Sequence, residues 1–70
     1  MPIVLAPIDT ELVVLKIVAN QDIKRHLEDL GIIVGSKIKL IANQGGNVIC
    51  EIKEGRIALD TETARKIFVA

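Results

Sequence analysis

The sequence is almost without aromatic rings: it has no tryptophan and no tyrosine, and Phe68 is its single phenylalanine. Modules that grip proline-rich peptides and platforms for single-stranded nucleic acid stack their ligands on several exposed rings, so both are excluded. Neither sign of charge is in surplus. Nine lysines and arginines balance nine aspartates and glutamates, whereas proteins that displace counterions from phosphates carry a clear positive excess. No bulk attraction to DNA, RNA or acidic lipid is expected. Cysteine is reduced to Cys50, which forbids an intramolecular disulfide and a thiolate-built zinc site and fits a reducing, cytoplasmic setting.

Histidine is also single, His26, and the hydroxyl side chains are those of Thr10, Ser36, Thr61 and Thr63. Nucleophilic or metal-assisted catalysis needs several such groups gathered together. No such cluster is visible, so no catalytic residue, metal site or cofactor is expected. His26 lies between Arg25 and Leu27 in a helical stretch and reads as a surface or boundary residue. Cys50 falls on the inward side of a strand and reads as a small core hydrophobe. Long apolar runs are missing too. Met1–Ile8 is apolar but lacks a basic leader, and Pro7, Asp9 and Glu11 interrupt it well short of spanning length. It is expected to be neither signal nor anchor, with no direct membrane insertion.

What the chain does have is aliphatic: half of its 70 residues are hydrophobic, so a core must be built from Ile, Val, Leu and Ala. A chain this short supplies one core, and a single domain over 1–70 is expected, with a folded surface of roughly 4,300 Å².

The stretch Leu12–Ala19, rich in β-branched residues, predicts a first strand, and exposing Lys16 turns Val13, Leu15 and Ile17 inward. Val14 and Val18 then share the Lys16 face, which a helix or the apolar N-terminus would partly cover. Asn20 is placed to cap a helix, Asp22 adds negative charge at its positive end, and Ile23, Leu27 and Leu30 form one apolar stripe. Gly31 ends it. After a turn at Gly35-Ser36, Lys37–Leu40 alternates charged and apolar residues as a second strand ending near Ala42, and Asn43–Asn47 has the composition of a hairpin turn, not the spacing of a phosphate loop. The third strand turns Val48, Cys50 and Ile52 inward. Pairing Ala42 with Val48 sets Lys39 against Glu51. A turn at Glu54-Gly55 pairs Lys53 with Arg56, Ile52 with Ile57 and Cys50 with Leu59. Asp60 caps a short second helix with Ala64 and Ile67 inward and Glu62 four residues before Lys66, and Phe68 and Val69 return extended. Lys37, Lys39, Lys53 and Arg56, interspersed with Glu51 and Glu54, read as a solvated mixed-charge face. The element order predicts a mainly β fold with one or two short helices: a small SH3-like β-barrel with a helix in its first connection.

Three segments carry a resemblance to a known family. Leu27-Glu28-Asp29-Leu30-Gly31-Ile32-Ile33-Val34-Gly35-Ser36-Lys37-Ile38, then Gly45-Gly46-Asn47-Val48-Ile49, then Gly55-Arg56-Ile57-Ala58-Leu59 with Ala64, Ile67 and Val69, resemble in order and spacing the FeoA family of small SH3-like proteins. The resemblance implies a cytoplasmic accessory or regulatory protein of ferrous-iron uptake, non-catalytic and with no established metal site of its own, whose partner is the cytoplasmic part of a FeoB-type membrane permease. Two alternatives are the SH3-like accessory domain of a metal-dependent transcriptional regulator and a small nucleic-acid-binding barrel. Balanced charge and a single aromatic ring oppose the latter. For the partner surface the first helix offers Lys24, Arg25, Leu27 and Glu28, where a charged face joins an apolar stripe. Leu27 has the competing role of a core residue, as apolar residues at helical spacing usually do.

Overall fold

The computed structural model describes residues 1–70. A 3-10 turn at Ile3–Leu5 precedes strand β1 (Glu11–Ile17), helix α1 (Gln21–Asp29), strands β2 (Lys37–Gln44), β3 (Asn47–Ile52) and β4 (Gly55–Asp60), helix α2 (Thr61–Ala64) and strand β5 (Ile67–Val69). The strands form one antiparallel sheet in the order β4-β3-β2-β1-β5. Its curled inner face holds the core, and the accessible surface is 4270 Å².

Local chemistry explains the helices. The Asn20 side chain accepts from the Ile23 N–H at 2.9 Å and starts α1. Gly31, at φ +96°, turns the chain out of it, a conformation that costs glycine no side-chain clash. Asp60 caps α2 by accepting from the Thr63 N–H at 3.2 Å. The expected Glu62–Lys66 pair is instead Glu62–Arg65 at 3.4 Å, because the helix stops at Ala64 and the chain turns into β5, which takes Ile67 with it.

The inward faces of β2 and β3 are as expected: Ile38, Leu40, Val48, Cys50 and Ile52 are all buried. Lys39 faces Glu51 across the sheet, 3.7 Å apart. Ala42 lies opposite Ile49 and not Val48, because the register slips by one between Leu40 and Ala42. β2 runs on to Gln44, leaving Gly45-Gly46 as the turn. The next turn is Lys53-Glu54, one residue earlier than Glu54-Gly55, so Cys50 pairs with Ile57 and Glu51 with Arg56. That moves the expected register by two residues, which preserves every inward face.

β1 carries the largest correction. Val13 and Leu15, expected inward, are 38% and 53% exposed, while Val14 is buried and Leu12 packs on the core. Pairing with β5 shifts register between Val14 and Lys16, leaving Leu15 as the extra residue of a bulge, after which Ile17 packs on the core as expected. A bulge breaks the period of two from which the strand was read. Outside it, Lys16 sets its ammonium 5.0 Å from the centre of the Phe68 ring.

The two ends of the chain meet. Pro2 bridges to Phe68, the Val69 N–H donates to the Met1 carbonyl at 2.7 Å, and the Met1 ammonium donates to the Val69 carbonyl at 2.9 Å. Ile3 and Ala6 are thereby carried into the core beside Ala64, Ile67 and Val69.

Candidate functional site

The surface has two neighbouring hollows, and the exit of α1 forms the ridge between them. The larger, about 630 Å³, is lined by Glu28, Gly31 and Ile33 from α1 and the loop after it, by Lys37, Lys39, Glu51 and Lys53 of the β2–β3 region, and by Glu11 and Glu54. The smaller, about 160 Å³, is lined by Ile17, Lys24, Glu28, Ile32, Ile33 and Val34. Glu28 and Ile33 border both.

The loop after α1 creates this relief. Gly31 and Gly35 both take positive φ, and between them Ile32, Ile33 and Val34 occupy a stretch too short and too bent for all three to face inward. Ile32 takes the core position, while Ile33 is 48% and Val34 is 61% exposed. The loop is pinned on both sides. The Gly35 N–H donates to the Val14 carbonyl at 2.8 Å and the Val14 N–H to the Ser36 carbonyl at 2.9 Å. The Ser36 hydroxyl donates to the Ile33 carbonyl at 2.6 Å and accepts from its N–H at 3.2 Å. The two exposed side chains are therefore presented by a fixed backbone.

The larger hollow has a mixed charge pattern. Lys37 pairs with Glu11 at 3.8 Å, and Glu51 lies between Lys39 at 3.7 Å and Arg56 at 3.3 Å. Glu28, Lys53 and Glu54 have no ion-pair partner within 4.0 Å and are exposed. These pairs lie in water and add little to stability, so the pattern bears on what meets the surface more than on the fold.

Of the four residues expected on the partner surface, the structure brings two to the hollows. Lys24 lines the smaller one and Glu28 both. Arg25 is exposed but lines neither. Leu27 is a correction: it is wholly buried, because the apolar stripe of α1 faces the barrel, and it presents nothing to a partner. Ile33 and Val34 were missed as surface residues. Their signal was three consecutive β-branched residues enclosed by two glycines, a stretch that a turn cannot bury whole.

His26 is exposed and Cys50 fully buried, on separate elements. Burial pushes the Cys50 thiol up to about 11, so it is protonated at neutral pH. No group of three or more His, Cys, Asp or Glu side chains is close enough to hold a metal ion. No helix is long and apolar enough to cross a membrane.

Comparison with known proteins places this geometry. The profile of the FeoA domain matches residues 1–70. The chain belongs to the FeoA family. A Methanocaldococcus jannaschii protein with the provisional name Fe(2+) transport protein A is 40% identical over 68 residues, which is 97% of this chain and 83% of that protein. The crystal structure of Stenotrophomonas maltophilia FeoA complexed with zinc, described as an SH3 domain protein, superposes with a TM-score of 0.84 at 26% identity, covering 100% of this chain and 89% of that one. A manganese-dependent transcriptional repressor gives a TM-score of 0.90 at 19% identity over 100% of this chain but 40% of its own length. That likeness is one of fold, and it shows the SH3-like barrel of FeoA proteins to be shared with part of a longer regulator.

Proposed function

We propose that this FeoA-family chain is a non-catalytic accessory module of ferrous-iron uptake that works in the cytoplasm by docking on the cytoplasmic part of a FeoB-type permease. The docking surface is the ridge at the exit of α1: Ile33 and Val34 supply apolar contact, and Lys24, Arg25 and Glu28 supply the charged rim. The observation that carries this is the rigid display of two β-branched side chains beside hollows edged with unpaired charge, since apolar anchors within a polar rim are the usual anatomy of a protein interface. The sole aromatic ring lies half-buried beneath Lys16, which leaves no platform for stacking bases and favours a protein partner over a nucleic acid.

The test is co-purification of the permease with tagged wild-type protein and with Ile33→Glu, Val34→Glu and Arg25→Glu variants, each checked for folding by circular dichroism. Capture by wild type and its loss in folded Ile33→Glu and Val34→Glu variants is the expected result. Equal capture by all would refute the surface, and no capture by wild type would refute the partner.

A further inference from the structure

β4 is an edge strand: β3 pairs with one side of it, and besides β3 only α2, which follows it, packs substantially against it. Its phase can be read from the ladder. The Thr61 N–H donates to the Gly46 carbonyl at 3.0 Å, in register with Leu59 opposite Val48 and Ile57 opposite Cys50. Because hydrogen-bonded and non-hydrogen-bonded pairs alternate in an antiparallel ladder, the odd-numbered residues of β4 bond to β3. The N–H and C=O groups of Arg56 and Ala58, and the N–H of Asp60, therefore point away from the sheet, and all three residues are exposed.

Natural edges of this kind are usually blunted by proline, by bulges, by charge or by a covering element. This edge has no proline, its ladder to β3 has no bulge, and its two outward charges, Arg56 and Asp60, are of opposite sign. Its outward side chains are Arg56, Ala58 and Asp60, a sequence complementary to itself when reversed. We propose that β4 pairs with β4 of a second copy of this chain, antiparallel about a two-fold axis at Ala58. Ala58 then exchanges both backbone hydrogen bonds with Ala58 of the second copy, and Arg56 lies opposite Asp60 at each end of the pair. On the inner face the same register sets the half-buried Ile57 beside the buried Leu59 of the second copy.

The side chains are already set for this. The Arg56 Nε lies 3.3 Å from a Glu51 oxygen, which leaves the two terminal nitrogens of the guanidinium unused, and Asp60 is held in place by Thr63. Opposite charges facing across strands favour the register, and the two-fold makes each favourable contact occur twice. One short strand per copy makes a small interface, so the association is weak and concentration-dependent.

Sedimentation equilibrium over a rising concentration series tests the pairing. The wild-type average mass should climb from 7.6 kDa toward twice that value, and less steeply in high salt, which screens the Arg56–Asp60 pairs. Ala58→Pro removes an outward N–H without touching the β3 ladder and should hold the protein at monomer mass. Ala58→Glu keeps the backbone intact, sets two like charges together at the axis, and should weaken association about two- to fivefold. Circular dichroism confirms that each variant is folded, and should Ala58→Pro unfold, Ala58→Glu decides alone. A wild type that stays monomeric throughout, or a dimer that is no weaker in the folded variants, overturns the proposal.

Discussion

The Asp60 carboxylate accepts two hydrogen bonds from Thr63, one from its hydroxyl at 2.7 Å and one from its backbone N–H at 3.2 Å. Both favour the ionised form and hold the Asp60 pKa below its ordinary value, the hydroxyl bond most of all. A carboxyl depressed in the folded state contributes stability that is present above its unfolded pKa of about 4 and is lost as the pH falls through the lower folded value. Asp60→Asn keeps the helix cap but removes the titration. Urea midpoints measured from about pH 5 downward should therefore fall less steeply for Asp60→Asn than for wild type. Parallel curves would mean that the Thr63 bonds do not persist in solution.

Leu27 and Arg25 are neighbours in sequence with opposite fates. Leu27→Ala should lower stability by about 2–5 kcal/mol by opening a cavity in a small aliphatic core. Arg25→Glu, on the exposed side of α1, should change it by no more than about 0.5 kcal/mol. Chemical denaturation of the two variants, compared at the midpoint, separates them.

Gly31 should tolerate substitution less well than Ser36. A valine at position 31 is strained at φ +96°, and its Cβ would sit 3.3 Å from the Ile52 Cδ1 and press on the Glu54 carboxylate, which can swing aside. The expected loss is about 1–3 kcal/mol. Ser36→Ala removes the paired bonds to Ile33 and should cost about 0.5–1.5 kcal/mol, less because the site is open to water. Thermal melts of both variants give the order.

Cys50 should be inert in the folded protein. Its thiol is buried and raised to about 11, so at pH 8 it is almost wholly protonated as well as inaccessible. Labelling with a chromogenic disulfide should proceed at the rate of unfolding and become fast in denaturant. Rapid labelling under native conditions would show that the β2–β3–β4 core opens locally.

How far the sequence could be read depended on whether each feature was local. Asn20, Gly31 and Asp60 act within one turn of chain, and the helix ends they specify are the ones observed. β2 and β3 kept their inward faces because alternation survives a slip of two residues, and even the one-residue slip at Ala42 comes after Ile38 and Leu40 are already placed. Val13 and Leu15 went the other way because the bulge in β1 arises from pairing with β5, about fifty residues downstream, and nothing near Leu15 announces it. The ridge proposed for docking was half legible. The charges of α1 were visible, but whether Leu27 or Ile33 is the exposed apolar side chain depends on the direction in which the helix meets the barrel, which is a tertiary fact.

The joining of Met1 to Val69 also bears on how the molecule is assembled. The contact spans 68 positions of a 70-residue chain, so closing it carries the largest loop entropy available to the fold. Ile3 and Ala6 find their places only when Ile67 and Val69 exist to receive them. The β2–β3–β4 meander is built from near neighbours in sequence, whereas the interior stays unfinished until β5 is in place. The N-terminal segment and β5 are therefore completed together, and removing Ile67–Val69 should be felt at Ile3 and Ala6 as well.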